Sequence, residues 1–92
     1  MAYEPNRTAA QIVERLKKDG FTVTIPDKHY RRVYELTLDR RMYFGVLYIS
    51  ADKGRALRIS LTWQPDLTNR TAEGASQIIG LLNTLPTYGW AN

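Results

Sequence analysis

From Thr8 onward the apolar residues first fall at helical spacing: Ile12, Val13 and Leu16 form a stripe, and Thr8-Ala9-Ala10-Gln11 has the spacing of a capping box. The pattern predicts a helix over residues 8–19. Gly20 fits the left-handed residue that ends such a helix, and Phe21 fits the apolar residue that folds back over its last turn. Glu14 and Lys18, four apart, are placed to form a surface ion pair.

The period then becomes two. Phe21, Val23 and Ile25 alternate with Thr22 and Thr24 until Pro26-Asp27 interrupts the run, which predicts a short strand and a turn. Tyr30 to Leu38 alternates again, with Tyr34, Leu36 and Leu38 on one face and Arg31, Val33, Glu35 and Thr37 on the other. Met42 to Ser50 is apolar on both faces, the mark of a central strand that is covered twice or serves a partner. Arg55 to Gln64 sets Leu57, Ile59, Leu61 and Trp63 against Arg58, Ser60, Thr62 and Gln64. Beyond it, Asn69 or Thr71 can cap a second helix with the stripe Ala75, Ile78, Ile79, Leu82 and Leu85, closed by Pro86. Gly74 and Gly80 weaken that segment by about 1 kcal/mol each relative to Ala, so it needs packing against the sheet. The expected fold is a single α+β domain over residues 1–92, a four-stranded antiparallel meander sheet with an N-terminal and a C-terminal helix, in the order α-β-β-β-β-α.

Turn chemistry sets a register. Asp52-Lys53-Gly54 suits a three-residue hairpin loop, which pairs Leu47 with Ile59 and Tyr43 with Trp63 on the core side and Tyr48 with Arg58 and Phe44 with Thr62 on the other. A turn centred on Arg40-Arg41 sets Leu36 across from Gly45 and Tyr34 across from Leu47; a longer loop of the same parity keeps the same faces. The second face then carries Phe44, Val46 and Tyr48 at its centre, flanked by Val33 and Arg31 and by Arg58, Ser60 and Thr62. Lys28, Arg32, Lys53 and Arg55 gather near one edge.

Ninety-two residues build one hydrophobic core and leave no surplus for a second. The absence of cysteine removes disulfides, thiolate nucleophiles and thiolate metal sites, and one histidine cannot make a histidine-rich cluster, so no metal or other cofactor is expected. No run approaches the roughly 20 apolar residues that span a bilayer, and the start lacks a signal-peptide pattern, which places the expected protein in the cytoplasm with no membrane partner. A formal charge of +4 favours encounter with nucleic acid or an acidic protein surface.

Phe44 and Tyr48 with Arg31, Arg32 and Arg58 have the form of a stacking platform, on which bases lie against rings while guanidinium groups meet phosphates. The plainer alternatives are a second small core closed by a helix or by the Tyr88-Trp90 tail, or a homodimer or protein interface. Lys28-His29-Tyr30-Arg31-Arg32 is the densest basic run and would suit a phosphate backbone, but its alternation fits a plain strand end with solvated side chains better, and His29 has no neighbour at a spacing specific for a catalytic dyad. With no nucleophile elbow, Walker loop or dinucleotide turn, the expectation is a non-enzymatic module. Single-strand nucleic-acid binding leads. The alternative is a protein-interaction module, such as a small inhibitor, adaptor or assembly factor of the phage or mobile-element type.

Overall fold

The computed structural model describes residues 7–50 and 57–85. In chain order these form α1 (Arg7–Lys18), β1 (Thr22–Thr24), β2 (Val33–Arg40), β3 (Tyr43–Ser50), β4 (Leu57–Trp63), β5 (Thr68–Glu73) and α2 (Ala75–Asn83). The α+β class and the two flanking helices are as the sequence predicts. The sheet, however, has five antiparallel strands in the order β1-β2-β3-β4-β5, not four.

The fifth strand replaces the start of the expected second helix. The chain leaves β4 through a turn in which the Leu67 amide donates to the Trp63 carbonyl (2.8 Å) and the Thr68 amide donates to the Asp66 carboxylate (2.9 Å). Leu67 takes a left-handed φ of 61°. That Asx-type turn returns the chain beside β4, and Thr68 and Thr71 suit the pleated backbone. Gly74, at φ 81°, then ends the strand and opens α2, a conformation that glycine adopts without steric cost.

At the other end of the fold, α1 closes as predicted. The Phe21 amide donates to the Leu16 carbonyl (3.0 Å), the Gly20 amide donates to the Lys17 carbonyl (3.1 Å), and Gly20 has φ 95°, which is a Schellman closure. The helix starts one residue earlier than expected, so Thr8 lies within it. The ion pair on its surface is Arg15–Asp19 (3.0 Å); Glu14 and Lys18 make no such contact.

Registers decide the faces. The β3–β4 pairing is the expected one, with Tyr43 opposite Trp63, Leu47 opposite Ile59 and Tyr48 opposite Arg58. Between β2 and β3 the pairing is shifted by two residues, with Leu36 opposite Leu47 and Tyr34 opposite Ile49. The turn falls on Arg41-Met42, because Met42 accepts a left-handed φ of 68° and lets Arg40 pair with Tyr43. A shift of two preserves parity, so the side chains of β2 and β3 stay on their predicted faces.

The core face of the sheet presents Leu36, Leu38, Leu47, Ile49, Ile59 and Leu61, all almost fully buried, to Ala9, Ile12, Val13 and Leu16 of α1 and to Ile78 and Leu82 of α2. Helix α2 packs on β5 and β4, and α1 packs on α2 and β1, so both helices lie on this one face. Each such aliphatic side chain contributes about 1.5–3 kcal/mol on full burial. Gly45 sits in the core-facing row of β3, where a β-carbon would come within 2.0 Å of the Ser60 carbonyl oxygen and 2.9 Å of Leu61 Cδ2.

Gly45→Ala therefore forces β3 away from β4 and is expected to cost about 3 kcal/mol or more in urea unfolding. A second expectation concerns the β4–β5 turn, where hydrogen bonds from the Thr68 hydroxyl and amide hold the Asp66 carboxyl below the ordinary carboxylate range. A lowered folded value means that the contribution is present above the unfolded value and fades as pH falls through the folded one. The Thr68 amide signal in an NMR titration should accordingly show a midpoint below that of the same Asp in an unfolded peptide.

Candidate functional site: the open face of the sheet

Because both helices bury the same face, the other face of the sheet is left uncovered by every described element. It is built in rows across the strands. Glu35, Tyr48, Arg58 and Glu73 form one row; Thr24, Thr37, Val46, Ser60 and Thr71 form the next; Thr22, Asp39, Phe44, Thr62 and Asn69 form the third. Phe44 is 43% exposed, and Val46 and Tyr48 are half-buried by their neighbours. Cover by a helix, one of the sequence-based alternatives, is thus overturned for α1 and α2. Tyr88 and Trp90 lie outside the described residues, as do the Asp52-Lys53-Gly54 turn and Arg55.

Three of the five predicted site residues come together on this face. The Arg58 guanidinium lies over the Tyr48 ring at 6.0 Å from its centroid, within cation–π range, and Phe44 stands four residues along β3 on the same side. Arg58 makes no ion pair with Glu73, directly across from it on β5. Between them and Val33, Tyr48, Ser50 and Leu57 is a shallow cavity of about 250 Å3.

Arg31 and Arg32 do not lie in the flank of the face, which corrects the expected strand start at Tyr30. They are the two central residues of a tight turn, with φ 51° and 65°, closed by reciprocal hydrogen bonds between Tyr30 and Val33 (2.9 and 3.0 Å). Two positive φ values in a two-residue hairpin define a type I′ turn, whose strand twist is favourable but whose usual occupants are Asn and Gly. For β-carbon-bearing residues this conformation costs roughly 1–2 kcal/mol each. Sequence alternation could not expose it, since arginine is an unusual choice for both positions. The turn nevertheless sits at the β2 end nearest the cavity, and the Arg31 guanidinium stacks on Tyr30 at 5.4 Å. His29 is exposed and packs edge-on against Tyr34, with ring centroids 5.6 Å apart.

Glu73, Thr71 and Asn69 were invisible as site residues because their segment reads as a helix start. Their signal is local: Asn69 and Thr71 alternate with Arg70 and Ala72 just after a Pro-Asp turn and just before Gly74. In place, the Asn69 side-chain amide donates to Ser60 Oγ (2.9 Å) and Thr62 Oγ1 (3.0 Å), tying the polar flank of the face together. The face is also less basic than expected. Glu35, Asp39 and Glu73 project from it beside Arg58, and the basic pair Arg31-Arg32 stands at its end.

Replacing Arg31-Arg32 with Asn-Gly removes the left-handed penalty and is expected to raise stability by about 1 kcal/mol or more, seen as a higher urea midpoint with an unchanged slope. No family model, no curated protein and no solved structure matches this chain.

Proposed function

We propose that this chain is a non-enzymatic protein-recognition module that docks the open face of its sheet on a partner polypeptide, seating one aromatic or branched aliphatic side chain of the partner beside Tyr48. The observation that carries this reading is the cavity lined by Val33, Tyr48, Ser50 and Leu57 and rimmed by Arg58 and Glu73, two groups of opposite charge that do not pair with each other. A small apolar recess with uncommitted charges at its rim suits a buried anchor side chain surrounded by polar contacts. The Thr- and Ser-rich rows around Phe44 and Val46 supply a flat surface that a second polypeptide can cover.

Single-strand nucleic acid is the second reading. It rests on the Arg58–Tyr48 stack and on the Arg31-Arg32 turn at the same end of the sheet. Against it stand Glu35, Asp39 and Glu73, which a phosphodiester chain crossing the face would have to approach. The mixed charge favours the polypeptide.

Quantitative capture from the producing cells, with the wild-type chain and with Tyr48→Ala and Phe44→Asp as baits, tests the choice. Phe44 is exposed, so both baits should keep the wild-type circular dichroism spectrum. The expected result is one or a few proteins held by the wild type and weakened about 30-fold or more by each variant, the loss that truncation of an anchor contact produces. Capture that ignores both substitutions overturns the reading. Anisotropy titrations with single-stranded oligonucleotides decide the second: binding that persists near physiological salt and weakens steeply above it would transfer the face to nucleic acid.

A further inference from the structure

Away from the open face, on the side of the helices, a polar cavity of about 280 Å3 lies between the C-terminal ends of α1 and α2 and the β2–β3 hairpin, lined by Arg15, Asp19, Arg40, Leu82, Asn83 and Leu85. Its two arginines are held in different ways. Arg40 is stacked between two rings, 5.6 Å from the Phe21 centroid and 5.6 Å from the Tyr43 centroid. Stacking orients the plane of a guanidinium but uses none of its five N–H donors. No described residue accepts a hydrogen bond from them. Arg15 is fixed by its Nε–H to both Asp19 carboxylate oxygens (3.2 and 3.0 Å) and by its Nη2 to Asn83 Oδ1 (2.6 Å), with its side chain 28% exposed.

The surroundings favour negative charge. Among the described residues, Arg15, Lys17 and Lys18 in the last turns of α1 and Arg40 and Arg41 at the hairpin outnumber Asp19, Asp39 and Asp66, the last in the β4–β5 turn at the same end of the sheet. Helix C-termini ordinarily repel anions through their free carbonyls. Here several of those carbonyls are engaged: Leu16 and Lys17 accept from Phe21 and Gly20, and Leu81 and Leu82 accept from Thr84 and Leu85. A partly dehydrated pair of guanidinium groups, one rigidly oriented with its donors uncommitted, matches the geometry of a tetrahedral oxyanion.

We propose that this cavity is an oxyanion site for a phosphate group, free or carried as a monoester, in which Arg40 supplies the paired donors and Arg15 a second guanidinium. The proposal is independent of what the open sheet face binds. The test is an NMR titration of the wild-type chain with inorganic phosphate at constant ionic strength, following the arginine Nε–H signals, with parallel titrations of phenyl phosphate, acetate and sodium chloride. Saturable shifts of Arg40 and Arg15 at about millimolar phosphate are expected, with acetate at least about 10-fold weaker. Phenyl phosphate binding as well as phosphate would assign the site to a monoester, and weaker binding would assign it to the free ion.

Arg40→Gln should weaken binding about 10-fold or more, whereas Arg41→Gln, on the same hairpin but outside the cavity lining, should change it less than about 2-fold. Should loss of the ring contacts unfold Arg40→Gln, Arg40→Lys keeps the charge and removes the fork, and is expected to weaken binding as well. Shifts that sodium chloride reproduces, shifts that do not saturate, or phosphate affinity unchanged by either substitution at Arg40 would overturn the proposal.

Discussion

Everything in this fold depends on one-sided burial: six leucine and isoleucine side chains from β2, β3 and β4 point the same way and meet one stripe from each helix. Both short helices are spent on the same side of the sheet. Gly45 tightens the arrangement, because its missing side chain lets β3 lie against the Ser60 carbonyl and the Leu61 side chain in the middle of that core. The open face is a direct consequence of the same packing. Phe44 stays exposed, and Val46 and Tyr48 half-buried, because the opposite side of their strand has claimed both helices.

Arginine performs a second organising role. Arg31 stacks on Tyr30, Arg58 on Tyr48, and Arg40 on both Phe21 and Tyr43. Guanidinium groups tolerate such contacts because they are planar and weakly hydrated, and stacking leaves their hydrogen-bond donors at the edges available. The consequence is that, among the described residues, Arg31, Arg40 and Arg58 are oriented by rings and not by carboxylates. At Arg31 the stacking is combined with a left-handed backbone that strongly prefers other residues.

The face assignments were legible because side-chain period two survives errors in turn length. The β2–β3 register differs by two residues from the expected one, yet Leu36, Leu38 and Tyr34 remain on the core face and Glu35 and Thr37 on the open one. The β3–β4 register was legible in full, since the loop length read into Asp52-Lys53-Gly54 selects, among pairings of equal parity, the one that sets Leu47 opposite Ile59 and Tyr43 opposite Trp63. Local signals failed where two structures compete for the same residues. Asn69 and Thr71 are good helix caps, and only hydrogen bonding along β4 makes their segment a strand.

By itself, the sequence determined the class of the fold, the closure of α1 at Gly20 and Phe21, the side of the sheet on which the residues of β2, β3 and β4 lie, and the grouping of Phe44, Tyr48 and Arg58 on one surface. These follow from short-range periodicity and from backbone preferences that neighbouring residues already define. Tertiary structure alone decided that a fifth strand precedes α2, that Arg31 and Arg32 reverse the chain, that Glu73 faces Arg58, and that Arg15 and Arg40 share a cavity. Each of these depends on partners distant along the chain, whose pairing and packing are chosen by burial of the whole core and not by any local pattern.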